Sequence, residues 1–114
     1  MGIGLLGGSF DPVHHGHLIA ADRAVEALGL ARVLFVPCAS QPLKPAGPVA
    51  SAEHREAMLA LALAGHPRFA VESLELSRPG PSYMVDTLRA LRRREPRARF
   101  VLILGADTAA ELPR

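Results

Sequence analysis

The chain has 114 residues, 49% apolar and 21% charged, with a formal net charge of +2. That length allows a single domain over residues 1–114 with a modest core, and the composition excludes a disordered chain. The lone Cys38 excludes an internal disulfide and a cysteine-based zinc cluster, and no apolar run approaches the ~18 residues of a membrane helix.

Gly2 to Gly7 reads as a short first strand. Gly2, Gly4 and Gly7 spell the GxGxxG of dinucleotide-binding loops, but that fingerprint must follow a strand and only Met1 precedes it. No acidic residue closes the next strand either, so the pattern is a coincidence inside the strand. From His14 to Leu28, apolar Leu18, Ala21, Val25 and Leu28 recur at helical spacing, and Gly29 ends the helix. Arg32 to Pro37 (RVLFVP) is apolar on consecutive positions, as in a strand buried on both faces. Cys38 to Ala50 is a proline-rich extended loop.

Ser51 is expected to cap a second helix that carries Met58, Leu59, Leu61 and Leu63 and stops near Gly65-His66-Pro67. Phe69 to Leu76 reads as a strand and Arg78 to Pro81 as a turn. Ser82 caps a third helix through Glu95, stopped by Pro96. Arg99 to Leu104 (RFVLIL) reads as a second fully buried strand, and Gly105-Ala106-Asp107 leads into a short helix start. The order β-α-β-α-β-α-β predicts an α/β fold on an open parallel sheet with right-handed crossovers. Ligands of such sheets bind at the carboxyl ends of the strands.

The stretch Gly7-Gly8-Ser9-Phe10-Asp11-Pro12-Val13-His14-His15-Gly16-His17 joins the first strand to the first helix. Unpaired amides and the helix dipole make such a junction attractive to anions, and Gly7 and Gly8 allow close approach to the backbone. His14 and His17, three residues apart, fall on one face of the first helical turn. The fitting visitor is a polyphosphate. The mild positive charge suits a phosphorylated small molecule, whereas four Phe and one Tyr leave little for bases to stack on, so no nucleic-acid partner is expected. The cluster Arg89, Arg92, Arg93, Arg94, Arg97 and Arg99 reads as a solvated face around a helix end. No signal pattern opens the chain, so residence in the cytoplasm is expected, and the oligomeric state is open, a homo-oligomer included.

The loop resembles the HxGH signature of the nucleotidylyltransferase superfamily, matched by His14, Gly16 and His17. Three further segments narrow the resemblance: Gln41-Pro42-Leu43-Lys44, Ser82-Tyr83-Met84-Val85-Asp86-Thr87-Leu88 and Leu104-Gly105-Ala106-Asp107. Together they resemble the bacterial nicotinate-mononucleotide adenylyltransferases. The resemblance implies a Rossmann-like sheet with helices on both faces. It also implies adenylyl transfer from ATP, accompanied by Mg²⁺, to nicotinate mononucleotide, as in NAD biosynthesis.

On that resemblance His14, His17 and Lys44 are the catalytic candidates, with His17 steadying charge on the α-phosphate. Gly8, Ser9, Phe10, Gly16, Gly105 and Asp107 are the ATP-binding candidates. Lys44, Ser82, Tyr83, Met84 and Asp86 would line the mononucleotide site. Phe10 is equally readable as core, Asp107 is readable as a helix cap as well as a ribose contact, and for Lys44 a phosphate contact is favoured over a solvated lysine. Asp11 fixes the turn, His15 lies at the surface, and the three histidines are not expected to hold zinc. Leu43 replaces a frequent histidine, and Met84 a threonine. The family continues past Pro113-Arg114 with an aromatic that stacks on the nicotinate and a serine/threonine-rich segment ending in arginine, so the chain reads as the family's amino-terminal part. A phosphopantetheine adenylyltransferase and a non-catalytic nucleotide-binding fragment are the alternatives.

Overall fold

In the computed structural model, β1 (Gly2–Gly8) runs between two parallel neighbours, β2 (Arg32–Pro37) and β4 (Arg99–Ile103). The structure describes residues 1–8, 10, 13, 15–37, 51–77 and 84–103. Among these the strands form one sheet in the order β3-β2-β1-β4, where β3 is Phe69–Val71. Register runs from Ile3 opposite Arg32 to Gly8 opposite Pro37 on one side of β1, and from Gly2 opposite Arg99 to Leu6 opposite Ile103 on the other. β2 pairs with β3 from Val33–Phe69 to Phe35–Val71.

Alternation along each strand divides the core in two. Leu6, Val33, Phe35 and Phe69 join Ala21 of α1 (His15–Leu28) and Leu59 and Leu63 of α2 (Ala52–Leu63). Ile3, Leu5, Leu34 and Val36 join Leu91 of α3 (Met84–Arg94) on the opposite face. This division follows from strand order. Crossovers of one hand put α1 and α2 on the same face while the chain moves from β1 to β3, and α3 on the other once it turns back to β4.

Local signals behave as read at three places. Gly29 takes φ +61°, and Leu30 N–H donates to the Val25 carbonyl at 3.3 Å, the closing bond of a Schellman cap. Ser51 accepts from the His54 amide at 3.2 Å and caps α2. Gly2 and Gly4 lie inside β1, where a Cβ on Gly4 would meet Ile103 Cδ1 at 2.8 Å and Leu30 Cδ1 at 3.0 Å. Those glycines serve side-chain packing, as the rejection of the fingerprint requires.

Four expectations are corrected. The strand expected over Phe69–Leu76 stops at Val71, and Leu74–Ser77 is a 3₁₀ turn. Its apolar phase slips from Phe69 and Val71 to Leu74 and Leu76, so one straight strand cannot bury all four on one face. β4 is not fully buried: its residues are half-buried or exposed, with Leu102 52% exposed, because it edges the described sheet. Leu28 and Leu61 are exposed rather than core. Leu30 takes the place expected of Leu28, and Arg55 completes the buried stripe with Leu59 and Leu63.

Candidate active site

Strand order alone locates the site. The chain moves one way from β1 to β2 and the other way from β1 to β4, so the switch point lies between β1 and β4. In open parallel sheets ligands enter the crevice at the carboxyl ends of the two strands that flank it. The segment from Ser9 to His17 follows the end of β1, and that from Leu104 to Asp107 follows β4.

Phe10 lies two residues beyond the end of β1. Phe10 adopts φ +50°, a left-handed conformation that a bulky residue avoids unless its surroundings impose it. Its ring supplies the reason. Phe10 is 2% exposed within the α1 and α2 core, 5.8 Å from the Phe35 ring and in ordinary contact with the space a Gly8 Cβ would fill. The side chain of Phe10 is therefore core, which resolves the open choice for its ring.

The same ring meets the imidazole of His17 at 4.9 Å between centroids and 68° between planes. His17 is half-buried in the first turn of α1, next to exposed Gly16. The first turn of α1 carries no acidic side chain of its own, so none of its residues opposes the positive end of the helix dipole. Helix amides, Gly16 and an imidazole thus gather at the end of β1, a set suited to an anion.

The other expected residues divide in two. Gly8 ends β1, Met84 opens α3, and Asp86 is exposed in the first turn of α3. His14, Ser9, Asp11, Lys44, Ser82, Tyr83, Gly105 and Asp107 lie outside the described residues. α3 feeds a strand parallel to the others, so its Met84 end points toward the carboxyl side of the sheet. Among the described residues no group of three or more His, Cys, Asp or Glu is placed to hold a metal ion, and no helix is long and apolar enough to cross a membrane.

Sequence reasoning passed over two buried polar residues, Arg55 and Glu75, 2% and 3% exposed, and took Thr87, 0% exposed, only as part of the Ser82 to Leu88 segment. Thr87 of α3 donates its hydroxyl to Glu75 Oε2 at 2.5 Å, tying α3 to the 3₁₀ turn. Arg55 was findable from its i, i+4, i+8 spacing with Leu59 and Leu63. Glu75, set between Leu74 and Leu76, imitates the solvent side of a strand. Arg89, Arg92, Arg93, Arg94, Arg97 and Arg99 all lie at the surface. The Glu72 carboxylate accepts from Arg94 at 2.8 Å and raises its guanidinium pKa above the ordinary value through that hydrogen bond and its charge.

Comparison with known proteins bears on the family and the fold. A Thermus thermophilus protein named "Probable nicotinate-nucleotide adenylyltransferase" is 59% identical over 107 residues, 94% of this chain and 56% of that protein. One of the same name from Thermomicrobium roseum is 48% identical over 111 residues, 97% of this chain and 52% of the relative. The chain spans about half the length of these curated relatives. The solved Plasmodium falciparum nicotinic acid mononucleotide adenylyltransferase, complexed with NaAD, superposes with a TM-score of 0.80 at 22% identity. That overlap covers 96% of this chain and 54% of the other and shows the shared fold. A family described as cytidylyltransferase-like matches residues 5–114, nearly the whole sequence, and the chain belongs to that family.

Proposed function

We propose that the chain carries the amino-terminal, nucleotide-handling portion of a cytoplasmic enzyme that joins nicotinate mononucleotide to ATP, releasing pyrophosphate. One observation carries the reading: His17 and the first amides of α1 stand at the end of β1, beside the switch point of the sheet. The substrate pair is supported by the names of relatives 48% and 59% identical along almost the whole chain.

The chemistry asks little of the protein beyond placement and charge. A phosphate oxygen of the mononucleotide, already anionic near neutral pH, attacks the α-phosphorus. A new P–O bond forms, the bond to the β-phosphate oxygen breaks, and pyrophosphate leaves with the electron pair. No strong base is needed, and fixed donors aimed at the developing charge supply most of the acceleration. His17 and the α1 amides are the described donors; His14 and Lys44 would add to them. Mg²⁺ enters on the ATP phosphates as part of the substrate.

The test is pyrophosphate release by the complete protein with ATP, Mg²⁺ and nicotinate mononucleotide. Release with formation of the dinucleotide is expected. Turnover with phosphopantetheine in its place, or ATP binding without turnover, overturns the reading.

A further inference from the structure

We propose that Glu75 is a positioning residue: through its buried hydrogen bond with Thr87 it fixes the first turn of α3 against the 3₁₀ turn and so holds the mononucleotide site in register. The inference rests on the function proposed above. Glu75 and Thr87 lie on either side of Ser82 and Tyr83 in the sequence, and Thr87 directly follows exposed Asp86. Fixing one therefore sets where the other candidate contacts of that helix begin.

Both groups are buried, 3% and 0% exposed, and separated by 12 positions. A carboxylate withdrawn from water is costly unless hydrogen bonds or charges compensate it. Mere attachment of the turn to the helix does not require one. Leu74 and Leu88 already pack with Leu91 in the same apolar cluster, which supplies cohesion without direction. A short hydroxyl-to-carboxylate bond adds what apolar contact lacks, one defined geometry. It does so at the Met84 end of α3, the end that points to the carboxyl side of the sheet.

The experiment measures steady-state kinetics and thermal unfolding of the complete protein carrying Thr87→Val, Thr87→Ser or Glu75→Gln, with ATP, Mg²⁺ and nicotinate mononucleotide. Thr87→Val should raise KM for the mononucleotide about ten-fold, with KM for ATP within about two-fold and kcat little changed, as loss of one buried bond acting on ground-state binding predicts. Thr87→Ser keeps the hydroxyl and should restore most of that loss. Glu75→Gln keeps an acceptor oxygen without the charge and should fall between. It carries the test if Thr87→Val does not fold. Lower melting temperatures with KM for the mononucleotide unmoved, or an equal rise in both KM values, overturn the proposal. If the unsubstituted protein does not use nicotinate mononucleotide, the functional reading fails first. If it does and the variants match it, only the positioning role fails.

Discussion

The imidazole of His17 rests edge-on against the ring of Phe10, with centroids 4.9 Å apart, so a fully buried core residue aims a candidate catalytic one. Such an aromatic pair contributes about 0.5–1.5 kcal/mol beyond simple burial. Phe10 is in turn held by Phe35 of β2. Core packing and site geometry are thus continuous here.

His17→Ala should lower kcat by about 10²–10³, the usual consequence of removing one donor to developing negative charge. Stability should fall by about 0.5–1.5 kcal/mol, the worth of the edge-on contact with Phe10. Unchanged turnover with ATP would remove His17 from the mechanism.

Phe10→Ala removes a ring from the core and should cost about 3–5 kcal/mol of stability in urea unfolding. Activity should fall further than the lost stability explains at temperatures where the protein stays folded, since the His17 ring loses its support. A variant of native activity and reduced stability would show that the contact is packing alone.

Two glycines of β1 should respond in opposite ways. Gly4→Ala places a Cβ 2.8 Å from Ile103 Cδ1 and 3.2 Å from Val33 Cγ2, and should cost about 1–3 kcal/mol through overpacking. Among the described residues Gly8→Ala meets only the Phe10 ring, at 3.8 Å or beyond, and should change stability by no more than about 0.5 kcal/mol. A raised KM for ATP in Gly8→Ala would then report close approach of the nucleotide to the backbone.

The pair Arg94–Glu72 bears on pH. Arg94 has its pKa raised in the folded state, so its contribution is complete below the unfolded value and is lost only as pH rises through the folded one. Both lie far above neutrality. The effect of Arg94→Gln, no more than about 1 kcal/mol for a pair half open to solvent, should therefore stay constant between about pH 6 and 9 and shrink with added salt.

Much of the fold is legible in the sequence because local signals and burial agree. Arg32–Pro37 announces a buried strand and is one, and Gly29 and Ser51 punctuate helices as their chemistry requires. The apolar run of β4 does not say whether the strand is central or at an edge, and in the described sheet it lies at an edge. Leu61 misleads because α2 is apolar nearly all round, so periodicity alone does not choose its buried side. At the site, His17 stands out as part of a pattern. The bond from Thr87 to Glu75 does not, because no local rule links a strand-like glutamate to a helical threonine 12 residues later.

The central place of β1 also shapes how the protein folds. β1 is synthesised before the other three described strands, yet its register sets Gly2 beside Arg99, with almost the whole described chain in between. One flank of this apolar strand therefore waits, with its amides and carbonyls unclaimed, until the fourth strand has been made. Distant pairing of this kind is slow to form and open to self-association while it is incomplete. Recovery of active protein should accordingly be most sensitive to concentration and chaperone supply during that interval.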